Sequence, residues 1–456
     1  MTGLRRVLVA NRGEIAVRIV RACRDEGLES IALVSAVDRE SLPAQLADGT
    51  VEVGARTPGP PYLSVPAVVS AALMRRCDAV HPGYGFLAER PELADACDQH
   101  GLVFVGPSAE AIRRGGDKVE ARALAVTLDI PVGTGSTGLD DPAAAAETAS
   151  TVGYPVLLKA AAGGGGRGMT LVEAPEHLTA AFERAHAEAL GAFGDGRLYV
   201  ERYVSDARHV EVQILADRHG SVIALGDRDC SYQRRYQKLI EEAPASAIST
   251  PLRQRLAEAA VRLVSALDYV GAATVEFLVD QQREDFVFLE INTRVQVEHP
   301  VTEAVTGVDI VREQLRVAGG APLDFRQHDI LTRGHSIEVR INAEDAAEGF
   351  RPSPGLITRW DLPSGEGIRV DTHCFEGYTV PAQYDSLLAK LIVHGEDRAQ
   401  ACERLTSALA QTQIEGPSTT VALHRAIVAH PDFQAGRVST RWVEESFLPS
   451  WVVATS

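Results

Sequence analysis

The stretch Glu276-Phe-Leu-Val-Asp280-Gln-Gln-Arg-Glu-Asp285-Phe-Val-Phe-Leu-Glu290-Ile-Asn292-Thr-Arg294-Val-Gln296-Val-Glu298-His-Pro300 decides the reading of this chain. Apolar residues alternate from Ala273 to Val279 and again from Phe286 to Ile291, with the polar run Asp280 to Asp285 between them. That pattern predicts a β-hairpin. A turn centred on Arg283 sets Glu276 opposite Glu290, and Asn292 shares the face of Glu290 because strand side chains alternate. Two carboxylates and an amide oxygen then converge, a hard oxygen set suited to Mg²⁺ held together with nucleotide phosphates. Arg294, Gln296 and Glu298 follow with period two and could meet a small anion beside that cation. A single Glu in such a hairpin is far more often a solvated surface charge. Two facing carboxylates repel, however, and something must offset them.

The sequence has 456 residues, which predicts two to four domains. A formal net charge of −17 argues against nucleic acid as a main partner, though not against anionic substrates. No apolar run reaches the ~18 residues of a membrane span, so no membrane role is expected. The start, Met-Thr-Gly-Leu-Arg-Arg-Val-Leu-Val-Ala-Asn, reads as a first strand rather than a signal peptide. Cys23, Cys77, Cys97, Cys230, Cys374 and Cys402 are scattered, which suits small buried residues in a reducing compartment rather than a zinc site or a disulfide framework.

The first part of the chain alternates strand and helix signals. Val7–Ala10, Ile31–Val34, Ala79–Val80 and Val103–Val105 read as strands, and Ile15, Ile19 and Cys23 mark one helix face. This is a doubly wound α/β pattern without a Gly-x-Gly-x-x-Gly. Lys118 opens an Ala-rich helix that ends before Pro131, and residues 133–138 form a Gly-rich connector. Then Val156–Lys159 leads into the glycine run Gly163–Gly166, followed by Arg167-Gly168-Met169. No Gly-Lys-Ser/Thr opens a helix there, so it is not a Walker A loop. Glycines still permit backbone N–H groups to surround an anion, and Arg167 adds charge. A flexible hairpin tip is the plainer alternative, but four successive glycines cost heavily in folding entropy.

With these residues in view, the chain resembles biotin carboxylase of the ATP-grasp superfamily, nearly end to end. The segments that carry the resemblance begin with Ala10-Asn-Arg-Gly-Glu-Ile-Ala16, His81-Pro-Gly-Tyr-Gly-Phe-Leu87, Gly116-Asp-Lys118 and Gly164-Gly-Gly-Arg-Gly-Met169. They continue with His209-Val-Glu-Val-Gln213, Arg228-Asp-Cys-Ser231, Gln237-Lys238, Glu241-Glu-Ala-Pro244 and Asn292 through Glu303. Arg340-Ile-Asn-Ala-Glu-Asp345, Pro352-Ser-Pro-Gly355 and Gly377-Tyr-Thr-Val-Pro381 complete them.

The resemblance implies a multidomain α/β and α+β fold. Residues 1–115 would form a Rossmann-like N-terminal domain, 116–330 an ATP-grasp core with a mobile lid at about 132–204, and 331–446 a C-terminal domain. It implies that ATP, bicarbonate and a biotinyl carrier give ADP, phosphate and carboxybiotinyl carrier through carboxyphosphate, with Mg²⁺ or Mn²⁺ as the metal. Carried over, Lys118 and Lys159 match lysines on the ATP phosphates, and Gly164, Gly165, Gly166, Arg167, Gly168 and Met169 match the lid loop. Glu201, Arg202, Val204, His209, Gln233, Tyr236 and Leu278 match the adenine and ribose surroundings. Glu276, Glu290 and Asn292 match the metal ligands. Arg294, Gln296, Val297 and Tyr84 match the bicarbonate and biotin site. Glu298 matches the general base, Lys238 a lysine near the transferred phosphoryl group, and Arg340 the group facing the ureido oxygen of biotin; with Arg294 these are the catalytic set.

None of the three methionines precedes a lysine, so the biotin carrier and the carboxyltransferase are expected on other polypeptides. The family further implies a homodimer, a cytoplasmic location and the first half-reaction of an acyl-CoA carboxylase. Acetyl-CoA is the leading final acceptor, with propionyl-CoA or pyruvate open. An ATP-grasp ligase for another carboxylate and a non-catalytic carboxylase subunit are the rival readings. Four departures stand out: Tyr236 for the family's His or Asn, Tyr232 for a smaller aliphatic residue, Ala162 for Gly, and Ala382-Gln383-Tyr384 after Pro381. Tyr236 could touch the nucleotide or pack on Tyr232 at the cleft rim, and the last departure could alter a partner surface.

Overall fold

The computed structural model describes residues 3–54, 61–133, 138–161, 168–204 and 206–455. Near the N-terminus, β1 (Arg6–Val9), β2 (Glu29–Val34), β3 (Gly49–Glu52), β4 (Ala79–His81) and β5 (Val103–Phe104) form a parallel sheet in the order β3-β2-β1-β4-β5. The first helix, Gly13–Asp25, follows β1 directly. It buries Ile15, Ile19 and Cys23 on one face, as their spacing predicts. Glu14 lies in its first turn, where a negative charge complements the helix dipole. Gly83 holds φ +64 in the turn after β4, and a Cβ there would meet the Asn11 amide at 2.9 Å, so the close approach excludes a side chain.

A smaller antiparallel sheet follows, built from β6 (Val156–Ala160), β7 (Met169–Val172) and β8 (Leu198–Arg202), with β6 in the middle. Val156, Leu158 and Ala160 point into a core closed by Ala145, Ala149 and Phe182 from the helices Pro142–Val152 and Leu178–Phe193. The period of two therefore turns Leu157 and Lys159 the other way, towards a cleft. Asp141 caps the first of these helices, accepting from the backbone N–H groups of Ala143 and Ala144.

The largest sheet holds eight strands: β13 (Asp285–Asn292), β12 (Gly271–Asp280), β9 (Ala207–Ala216), β10 (Val222–Arg234), β11 (Gln237–Ala243), β14 (His335–Asn342), then Leu387–Gly395 and Ile368–Thr372. It runs without a break from the hairpin of the central part into the C-terminal part through the pairing of β11 with β14. Val210, Val212 and Ile214, with Val275, Phe277 and Val279, pack under the helix Thr250–Ser265. Ser249 caps that helix by accepting from the N–H of Leu252.

The predicted hairpin is present, with one difference. Asp280 pairs with Asp285 and Phe277 with Phe288, so the turn lies between Gln282 and Arg283 rather than on Arg283. That register alone would set Leu289 opposite Glu276. A bulge between the Glu276 and Phe277 pairs absorbs one residue and restores Glu276 to Glu290. The expected pairing is correct, but a bulge produces it. Beyond Asn292 the strand ends, so the Arg294, Gln296, Glu298 alternation lies on an irregular turn that leads into the helix His299–Thr306.

Glu242 of β11 fastens this sheet to the C-terminal helix Arg398–Gln411. Its carboxylate accepts from both Nε and Nη2 of Arg398 at 2.7 Å and lies 2.9 Å from His335 Nε2. Burial pushes its pKa up, but these partners outweigh burial and hold it at about 2 against an ordinary 4.5. A depressed carboxyl pKa stabilises the fold above the unfolded-state value and ceases to do so as pH falls through the folded-state value. Wild-type chain is therefore expected to exceed Glu242→Gln in stability fully above about pH 4.5, with the gap closing towards about pH 2. Urea titrations across that range check it, and a gap independent of pH would remove Glu242 as the source.

Candidate active site

A cleft of about 1070 Å³ lies where the parallel sheet, the three-stranded sheet and the large sheet meet. On its floor four strands bring charged residues to one level. Arg228 of β10 pairs with Glu211 of β9, Glu211 with Glu276 of β12, and Glu276 with Glu290 of β13. Three carboxylates thus stand side by side across adjacent strands, an arrangement that repels unless cations intervene.

Cations stand at each of them. Arg228 is fully buried and donates to Glu211 Oε1 at 2.5 Å, Gln213 Oε1 at 2.7 Å, Thr302 Oγ1 at 3.0 Å and Thr274 Oγ1 at 3.2 Å. Lys238 of β11 places its ammonium 2.5 Å from Glu211, 3.1 Å from Glu276 and 2.6 Å from Glu298. Burial opposes the Lys238 charge, but these carboxylates overcome it and raise its pKa well above the ordinary value. Burial likewise opposes the charge on Glu276, and Lys238 and His209 hold it ionised; His209 Nε2 lies 2.8 Å from Glu276 Oε2. Lys118, which opens the helix Lys118–Thr127, reaches Glu290 at 3.1 Å.

Glu298 occupies the turn after β13 and is fully buried between Lys238 and Arg340, whose Nη2 lies 2.9 Å from Glu298 Oε2. Arg340 also donates from Nε to Glu241 Oε1 at 2.6 Å. Burial would raise the pKa of Glu298, yet Lys238 and Arg340 hold it well below the carboxylate range. Arg294 links the same turn together. It donates to Glu89 at 2.8 Å, to Gln296 Oε1 at 2.9 Å and to Asn292 Oδ1 at 3.1 Å. The Asn292 amide in turn donates to Glu276 at 3.0 Å. Tyr84 and Val297 line the same end of the cleft.

At the other end, Lys159 bonds Glu201, which also accepts from Arg122 at 2.9 Å. Arg202, Val204, His209, Gln233, Leu278, Met169 and Tyr236 line that region, and Gln233 Nε2 lies 2.7 Å from His209 Nδ1. Gly168 holds φ +77 beside β7, the left-handed region that favours glycine. Gly164, Gly165, Gly166 and Arg167, with Ala162, lie outside the described residues.

Tyr236 is half exposed at φ +64 in the β10–β11 turn. It does not pack on Tyr232, which is buried against Phe433 and Trp442 with ring centroids 5.1 and 6.1 Å away. Tyr384, in the departing segment, lies under the Arg12 guanidinium at 4.1 Å, so this departure sits at the cleft rim. Glu211, Arg228 and Glu241 were not among the candidate site residues. The signal for Glu211 was present in the alternation His209-Val-Glu211-Val-Gln213, which sets all three polar residues on one face. Arg441 and Glu444 also line the cleft, and nothing in the sequence pattern marks them.

Comparison with known proteins assigns this architecture. Residues 117–326 match the family model for the carbamoyl-phosphate synthase L chain ATP binding domain. Residues 3–112 match the biotin carboxylase N-terminal domain and 338–445 its C-terminal domain. The fold and cleft are those of an ATP-grasp ligase. The chain belongs to the biotin carboxylase family, whose reaction is the ATP-dependent carboxylation of biotin. It is 48% identical to a biotin carboxylase of Nostoc sp. over 441 residues, 96% of this chain and 98% of that one. A Campylobacter jejuni biotin carboxylase solved as a nucleotide complex superposes with a TM-score of 0.93 at 44% identity, covering 97% and 99% of the two chains. The biotin carboxylase domain dimer of Hydrogenobacter thermophilus 2-oxoglutarate carboxylase, solved with MgADP, ADP and bicarbonate, gives 0.92 at 43%, covering 97% of each.

The floor's dependence on Arg228 is testable. Arg228→Met removes the guanidinium and leaves Glu211 buried with half of its counter-charge. The expected loss is about 3–5 kcal/mol of stability, the scale of breaking one side of a buried ion pair. Equilibrium urea unfolding measures it, and a change below about 1 kcal/mol would show that Lys238 alone satisfies Glu211.

Proposed function

We propose that the chain carboxylates biotin on a separate carrier protein with bicarbonate and ATP, as the first half-reaction of an acyl-CoA carboxylase, with acetyl-CoA the leading final acceptor. A homodimer, a partner carboxyltransferase and a cytoplasmic location complete the reading. The solved dimer of the Hydrogenobacter relative supports the first of these. Among the described residues no helix is long and apolar enough to cross a membrane. The observation that carries the proposal is the Glu298 carboxylate, buried between Lys238 and Arg340 at the end of a cleft lined by Lys118, Lys159 and the facing pair Glu276 and Glu290.

Glu276 and Glu290 supply hard carboxylate oxygens on one wall, balanced by Lys238 and Lys118, a donor set that suits a divalent cation; Asn292 turns its amide N–H to Glu276 and its oxygen to Arg294. A bound Mg²⁺ or Mn²⁺, held by Glu276 and Glu290, would supply positive charge that offsets the charge developing in phosphoryl transfer. Lys118 and Lys159 would hold the phosphates by charge-assisted hydrogen bonds. Arg294 and Gln296 would orient bicarbonate, and Glu298 would take its proton. Beside Lys238 and Arg340, the low pKa of Glu298 keeps it ionised near neutrality. As Lys238 turns to the incoming phosphoryl group and Arg340 to the ureido oxygen, Glu298 loses both counter-charges and its proton affinity rises, as a base requires. Attack of bicarbonate on the γ-phosphoryl group gives carboxyphosphate and ADP. Carboxyphosphate then yields CO₂ and phosphate, phosphate takes the ureido proton, and Arg340 stabilises the biotin enolate that attacks CO₂. Closure of the β6–β8 lid would exclude water from carboxyphosphate.

Two variants test the assignment. Glu290→Gln is expected to lower kcat by ~10²-fold or more, the scale of removing a principal electrostatic stabiliser, and near-normal kcat at saturating Mg²⁺ would remove Glu290 from the metal site. Arg340→Ala is expected to retain bicarbonate-dependent ATP hydrolysis while carboxylation of free biotin falls ~10²-fold. Equal loss of both would give Arg340 an earlier role. Wild-type ATP hydrolysis that ignores bicarbonate would overturn the reading in favour of another carboxylate substrate.

A further inference from the structure

Lys390 lies in the strand Leu387–Gly395 and is fully buried. It pairs across the sheet with Arg340 on one side and with Asp371 on the other, so the three side chains share one face. Its ammonium donates to the backbone carbonyl of Val297 at 2.8 Å. It also lies 3.1 Å from Glu14 Oε2 and 3.9 Å from Asp371 Oδ2. Glu14 accepts on its other oxygen from the Tyr84 hydroxyl at 2.5 Å. One ammonium therefore ties together the first helix of the parallel-sheet domain, the turn after β13, and a strand of the C-terminal region.

The contact on Val297 has a mechanistic consequence. Val297 stands between Gln296 and Glu298, and its carbonyl belongs to the peptide plane that carries the Glu298 N–H. A peptide is planar, so holding that oxygen fixes the orientation of the unit that joins Val297 to Glu298. Residues 293–298 belong to no helix or strand, so no regular ladder sets that plane instead.

We propose that Lys390 is a positioning residue for the bicarbonate end of the site, acting through the Val297 carbonyl. This rests on the assignment of Arg294, Gln296 and Glu298 to bicarbonate made above. Lys390→Met is expected to raise the KM for bicarbonate about tenfold or more, the scale of one lost hydrogen bond from a charged donor, while the KM for ATP moves less than about twofold. Because the variant buries Glu14 without its counter-charge, it is expected to melt lower, and Lys390→Met/Glu14→Gln serves as the second variant. Glutamine keeps an acceptor for Tyr84, so the double variant should recover melting temperature yet keep the raised KM for bicarbonate. Recovery of that KM along with stability would overturn the proposal, as would a parallel rise in the KM for ATP. Arg294→Ala in the same assay separates the two assignments. If it raises the KM for bicarbonate and Lys390→Met does not, the site stands and Lys390 is no part of it. If Arg294→Ala leaves that KM unchanged, both fall.

Discussion

Three carboxylates set side by side across β9, β12 and β13 are the constraint on which the rest of the site depends. Left alone they would push the strands apart. Every strongly held cation near the floor answers that repulsion: Arg228 beneath Glu211, Lys238 shared between Glu211, Glu276 and Glu298, His209 beside Glu276, and Lys118 at Glu290. Arg228 and Glu211 are sealed from solvent and face each other as structure. Glu276 and Glu290 keep some exposure towards the cleft, and Glu298, though itself buried, lines it. One row of acids is therefore graded by depth: the inner end holds the sheet, and the outer end faces the cleft where the proposed function places substrate.

Much of this was legible in the sequence. Period-two alternation gave the strands of the hairpin and the facing of Glu276 and Glu290, and the same period on His209-Val-Glu211-Val-Gln213 carries the next member of the row. Pattern failed where the backbone departs from a repeat. The bulge opposite Glu276 leaves no mark in residue type, so the turn centre was displaced by half a residue while the pairing survived. Arg294, Gln296 and Glu298 alternate like a strand but lie on a turn. Their convergence comes from hydrogen bonds that Arg294 makes to Gln296 and Asn292, not from a pleat.

Contacts between distant segments were beyond reach for a different reason. Lys390 lies in a run, Leu387 to Val393, that reads as an apolar strand with one charge, and sequence offers no reason to connect it with Glu14 or Val297. Tyr232 shows the same limit. Four residues from Tyr236 in a strand, it should share its face, yet the chain turns at Arg235 and Tyr236 and sends Tyr232 into the C-terminal core instead. The resemblance to a family supplied roles for the cleft residues, but the partners that hold them in place had to come from the fold.

The unbroken eight-stranded sheet also limits how the chain can be divided. Its order places β11 next to β14, so the central and C-terminal parts share a hydrogen-bonded ladder rather than a side-chain interface. Cutting the chain in the intervening loop, between residues 318 and 335, would leave each fragment with a long, flat, largely buried strand edge seeking a partner. Such fragments would associate with each other or with themselves before they stayed monomeric. The three-stranded sheet that carries Lys159 has no such ladder to the large sheet; within the described residues its strands pair among themselves, apart from one bridge between Leu198 and Leu139. Gene fusions, circular permutations and split reporters built on this scaffold should therefore break the chain around the small sheet and leave the β11–β14 seam intact.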